Sequence, residues 1–139
     1  MKKLFVLICL CAIIGCKSNP NYQIDSIEGY WEIESVYKDD KLIKTFKISP
    51  GIDYFKINKK SKGFRKKLKP NFKGTFETSK DVLNFEIEIQ NNTLLLNYID
   101  NATKFSEEVL LASTEKLVLK NKRGFIYNYK SYKPLDLRQ

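Results

Sequence analysis

Three sets of side chains in this sequence are equipped for chemistry: thiols, spaced carboxylates and a run of cations. The thiols are Cys9, Cys11 and Cys16, all within the first 16 of 139 residues. No cysteine follows Cys16, and the chain has no histidine. Disulfides within the rest of the chain, thiolate or imidazole metal sites and His-based nucleophile systems are thereby excluded. Ser113-Thr114-Glu115-Lys116 spells Ser-x-x-Lys. That nucleophile spacing works at a helix start beside two further motifs, and here it falls between strand-like runs, as a turn. Glu32 and Glu34 share one strand phase, as do Glu86 and Glu88. A carboxylate pair does acid–base work in a cleft, and on a convex strand face it is simply solvated. The residues therefore point to no catalytic group, no metal and no cofactor, and the chain reads as a non-enzyme.

Cys16 has a different chemistry open to it. Lys2 and Lys3 form a short positive segment, and Leu4 to Ile14 is an apolar run, too short to span a bilayer and right for a signal peptide. It ends in Ile13-Ile14-Gly15-Cys16, which resembles a bacterial lipobox: a small residue at the cleavage point, then a thiol to carry a diacylglycerol. Residues 1–15 are then a lipoprotein signal peptide, and residues 16–26 a lipidated tether. More than one acyl chain at Cys16 would anchor stably, where a single chain holds marginally. Lys17 follows the cysteine, and no acid occurs in residues 17–24. The expected location is the bacterial outer membrane, facing the periplasm.

The formal net charge is +9, and its densest part is one run. From Lys56 to Lys73 there are eight lysines and Arg65, with no acid among them. Lys59, Lys60, Arg65, Lys66, Lys67 and Lys69 form a candidate anion-binding loop. Its partner in the envelope would be an anionic polymer, lipid head groups or a protein. Nucleic acid does not fit that compartment. The plain alternative is a solvated, self-repelling loop.

These groups must be positioned by strands. Trp31, Ile33 and Ser35 alternate with Glu32, Glu34 and Val36, and Phe85, Ile87 and Ile89 alternate with polar neighbours. Further runs cover 42–48, 52–58, 72–78, 93–99, 105–111, 116–120 and 125–132, with turn signals such as Pro50-Gly51, Asn91-Asn92 and Arg123-Gly124 between them. Lys17 to Gln23 is polar and reads as tether, and Asp25 to Glu28 as one helical turn. The spacing predicts an all-β, small antiparallel up-and-down barrel of about eight strands over residues 27–139, after the N-terminal signal peptide. Phe76, Leu111, Leu94, Leu96, Leu117, Leu119, Phe55, Ile57 and Val109 fall on the phase expected to face inward.

Gly29-Tyr30-Trp31, just after a helical turn, resembles the lipocalin signature. With the lipobox and the Tyr-rich segment Phe125 to Tyr132, the chain resembles bacterial lipocalin-like lipoproteins over about residues 27–133. The resemblance implies that Trp31 closes the barrel base beneath a cation from the last strand or tail, Lys130, Lys133 or Arg138. It also implies a non-catalytic module for a small apolar or amphipathic ligand. Trp31, Tyr98, Tyr127, Tyr129, Phe85 and Phe125 are the candidate lining, with the tyrosine hydroxyls as polar handles. A barrel of this size is either such a cup or filled by those same side chains.

Overall fold

The computed structural model describes residues 19–59, 61–71, 73–100 and 104–133, and of Tyr22 and Lys59 the backbone only. The chain opens with helix α1 (Pro20–Ile27), followed by strands β1 (Gly29–Lys38), β2 (Lys41–Thr45), β3 (Ile52–Lys59), β4 (Lys62–Pro70) and β5 (Phe76–Gln90). Strands β6 (Thr93–Ile99), β7 (Lys104–Ala112), β8 (Lys116–Asn121) and β9 (Phe125–Ser131) complete it. All the strand pairings are antiparallel, in the order β2-β1-β3-β4-β5-β6-β7-β8-β9, and β9 also pairs with β1. That last pairing, from Trp31↔Ser131 to Lys38↔Phe125, closes an eight-stranded barrel of β1 and β3–β9 and removes its edges. β2 stays outside the ring, bonded to the upper half of β1.

The helix is longer than one turn. Pro20 occupies its first turn and Asn19 caps it, accepting from Asn21 N–H at 3.1 Å. Ile24 and Ile27 carry it onto the barrel core, and the Gln23 side chain accepts from Ala112 N–H at 2.9 Å. Residues 20–23, read as tether from their polarity, are therefore packed helix. Gly29 follows at φ +143°, which a side chain would strain, and this lets the chain swing from helix into β1. No helix among the described residues is long and apolar enough to cross a membrane.

The base of the barrel is where α1 lies; the mouth is the opposite end, at Lys38, Ile99 and Asn121. Alternation fills the lower interior. Phe55, Leu96, Leu117 and Leu119 are 0% exposed, and Trp31, Phe85 and Leu94 are buried beside them. They belong to one contiguous buried cluster. The Phe85 ring lies against Gly63, leaving no room there for a Cβ.

Three expectations are corrected. The basic stretch is not a loop: residues 62–70 are β4, hydrogen-bonded on both sides to β3 and β5. Phe76 faces outward, stacked on Tyr30 at 5.4 Å. A bulge between Val109 and Leu111 shifts the phase of β7, so Leu111 is exposed and Ala112 takes the inward place.

Candidate functional site

Halfway up the barrel the lining changes from apolar to charged. On β3 the inward phase of Phe55 continues to Asp53, and on β7 the inward phase of Val109 continues to Glu107. Both acids are buried, at 2% and 5% exposure. On β4, Gly63 and Arg65 share the inward phase. Arg65 is thus turned into the barrel, where its whole guanidinium is engaged. Nε donates to Asp53 Oδ1 at 3.3 Å. One terminal nitrogen donates to Glu107 Oε1 at 3.0 Å and to the Tyr98 hydroxyl at 3.4 Å. The other donates to the Tyr129 hydroxyl at 2.9 Å and lies 3.3 Å from Asp53 Oδ2. Phe55 packs against the guanidinium, 5.1 Å from its carbon.

The planar, five-donor Arg is the side chain suited to gather two carboxylates and two phenols. Burial works against its charge. The oxygens of Tyr129, Tyr98, Asp53 and Glu107 outweigh that and hold Arg65 above its ordinary range. Burial pushes both phenols, Tyr98 and Tyr129, well above the usual tyrosine range, so both stay protonated. Lys67, one step nearer the mouth, adds a second cation to Asp53 at 3.0 Å, with its side chain 62% exposed. The four charges cancel.

Above this layer the inner face is open and aromatic. Phe105 stacks on Tyr98 at 4.6 Å yet is 38% exposed. Tyr127 is half-buried, its hydroxyl accepting from Asn121 Nδ2 at 3.3 Å. Phe125 is half-buried between Lys38, 4.7 Å from its ring centre, and Arg123, at 5.6 Å. At the mouth end, Phe105, Phe125 and Tyr127 thus stand on the inward phase above the Arg65 layer, with Lys67 beside it. None of the described grooves is lined by Phe105, Phe125 or Tyr127. The largest, about 920 Å³, runs between α1 and Ile57, Ile87 and Ile89 at the base.

The structure brings together Tyr98, Tyr129 and Phe85, with Phe85 edge-on to Tyr98 at 5.7 Å. Tyr127 and Phe125 lie at the mouth. Trp31 is apart from them, buried at the base, its indole N–H donating to the Ile27 carbonyl at 2.8 Å. The expected cation over Trp31 is not found among the described residues: Lys130 faces Glu32 at 3.8 Å, Lys133 is exposed, and Arg138 lies outside the described residues. Arg65, expected on an anion-binding surface, is interior. Lys66 lies on the outer phase of β4, while Lys69, exposed near the mouth, continues the phase of Arg65 and Lys67; neither makes an ion pair among the described residues. Lys60, the Lys59 side chain and Cys16 lie outside the described residues. Asp53, Glu107 and Phe105 were not singled out from the sequence.

The carboxylate pairs and Ser-x-x-Lys take ordinary places. Glu86 and Glu88 face outward toward Lys62 at 3.7 Å and Asn97 at 2.8 Å. Ser113 Oγ accepts from Lys116 N–H at 3.1 Å in the β7–β8 turn. Among the described residues no cluster of three or more Cys, Asp or Glu side chains is arranged to hold a metal.

A closed antiparallel barrel with a capping N-terminal helix and Gly-x-Trp on its first strand is a lipocalin-type architecture. The family profile of the lipocalin-like domain matches residues 27–119, and the chain belongs to that family. Two crystal structures are similar in outline. An uncharacterized protein from Bacteroides eggerthii DSM 20697 is 14% identical, with a TM-score of 0.47 over 76% of this chain and 98% of that one. A lipocalin-like protein from Bacteroides uniformis ATCC 8492 is 12% identical, with a TM-score of 0.47 over 77% and 99%. No match was found among curated proteins.

Proposed function

We propose that this chain is a non-catalytic binding protein that takes a small amphipathic molecule at the mouth of its barrel. Phe105, Phe125 and Tyr127 receive the apolar part and Lys67 an anionic head group. We further propose that Cys16 carries a lipid holding the domain at the periplasmic face of the outer membrane, on the strength of the Lys2-Lys3, apolar-run and Gly15-Cys16 pattern. One observation supports the binding reading above the rest: Phe105 sits on the inner face, stacked on buried Tyr98, yet is 38% exposed. A barrel built only to be filled would cover it.

The floor supports the same reading. Buried ion clusters contribute little net stability compared with well-packed apolar residues, so a polar layer below an open aromatic mouth fits recognition better than packing. Calorimetric titration with dodecanoate, dodecyltrimethylammonium and dodecanol tests it. The anion binds best, and Lys67→Gln lowers its affinity about tenfold. Equal binding of all three, or none of the anion, refutes it. A second reading keeps the barrel a scaffold and uses the outward Lys66 and the exposed Lys69 to hold an anionic envelope polymer. It predicts that Lys66→Gln with Lys69→Gln abolishes retention on isolated envelopes.

A further inference from the structure

Among the described residues β2 is the one strand outside the ring, and its five residues, Lys41–Thr45, are all exposed. Leu42 is 52% exposed, Ile43 56% and, just beyond the strand, Ile48 87%. Lys41, Lys44 and Lys47 are interleaved with them, and no acid occurs from residue 41 to residue 52. None of the three lysines makes an ion pair among the described residues. Lys44 lies over the Phe46 ring at 4.8 Å.

β2 also has a free backbone edge. It stands at the end of the sheet order with β1 as its neighbour. Phe46 N–H donates to the Glu34 carbonyl at 2.9 Å, toward β1. Donors alternate along an antiparallel strand, so the Thr45 N–H points the other way, to the open side. We propose that this edge accepts an extended, acidic segment of a partner protein as an added strand.

Three occupants compete for such an edge, and chemistry separates them. A bilayer offers no partner for the unpaired N–H and C=O groups, which are costly in hydrocarbon. A second copy paired antiparallel through β2 would set lysine-bearing edges against each other, and lysines on an edge ordinarily block that pairing. An extended acidic segment satisfies both sets of groups: main-chain bonds to β2, carboxylates on Lys41 and Lys44, which stand opposite Lys38 and Val36 on one face, and alternate apolar side chains toward Leu42 on the other.

The test uses the whole chain with two fluorescein-labelled peptides, (Glu-Val)4 and (Lys-Val)4, read by anisotropy and by amide hydrogen exchange. The acidic peptide binds and slows exchange at residues 42–46. Thr45→Pro, which deletes the outward donor, weakens it at least tenfold. So does the combined Lys41→Gln, Lys44→Gln, Lys47→Gln variant, which leaves the backbone edge intact. Unchanged Trp31 fluorescence confirms that each variant keeps its barrel. No binding, equal binding of the two peptides, or indifference to both variants overturns the proposal. So does a dimer of the chain alone with protected β2 amides, or capture by phosphatidylglycerol vesicles that protects the same amides.

Discussion

Replacing Arg65 by Met removes the cation that two buried carboxylates share while keeping much of its length. Arg65 lies 3.0 Å from Glu107 and 3.3 Å from Asp53, and the acids are 7% and 2% exposed at the side chain. Breaking a buried pair from one side costs roughly 3–5 kcal/mol, because an uncompensated charge is left behind. Asp53 keeps Lys67 at 3.0 Å, but that side chain is 62% exposed and screened by water. Glu107 keeps only its contact with Tyr98. The expected loss is therefore near the lower bound, about 3 kcal/mol at pH 7. Urea unfolding followed by Trp31, the single tryptophan, reads it directly. Adding Asp53→Asn and Glu107→Gln to Arg65→Met restores most of the stability, because the one charge left without its partner, Lys67, is 62% exposed and solvated. A deficit below about 1 kcal/mol would refute the assignment of Arg65 to the interior.

Tyr98 and Tyr129 are held above the ordinary phenol range, chiefly by burial, so the unfolded chain loses their protons first as pH rises. Stability is complete below about pH 10 and falls above it, by about 2.7 kcal/mol per pH unit for the two groups. In an ultraviolet titration two of the eight tyrosines ionise only with unfolding, and titration of all eight together near pH 10 would contradict this. Gly63→Ala drives a Cβ into the Lys56 carbonyl and the Phe85 ring, and because the carbonyl is backbone within β3 it cannot step aside. The expected cost is roughly 1–3 kcal/mol, seen as a lower melting temperature, and an unchanged melt would mean that β4 does not pack there.

The barrel was legible because most strands carry their own phase. Phe85, Ile87 and Ile89 against Glu86 and Glu88, and Leu94, Leu96 and Tyr98 against Leu95 and Asn97, fix two adjacent walls without outside help. The turn residues agreed: Asn91 and Asn92 adopt positive φ of 49° and 63°, as a two-residue hairpin requires. What the sequence hid were features set by neighbours. A bulge turned Leu111 outward, and ring stacking on Tyr30 holds Phe76 on the outer surface. Lysines concealed β4, because Gly63, Arg65 and Lys67 alternate with Phe64 and Lys66 without any contrast in hydropathy.

The charged floor, by contrast, had left a trace. Asp53 is the single acid between Asp40 and Glu77, and it is two residues from Phe55, on the phase expected to face inward. Glu107 stands in the same relation to Val109. Two acids on inward phases cannot be buried alone, so the barrel must bury positive charge with them. Among the nine cations from Lys56 to Lys73, eight are lysines, strongly hydrated point charges suited to the outside. Arg65 is the one whose planar fork can bond two carboxylates and two phenols at once, and it is the one turned inward to Asp53 and Glu107. Counting charge along the run concealed the site. Asking which cation could lose its water would have found it.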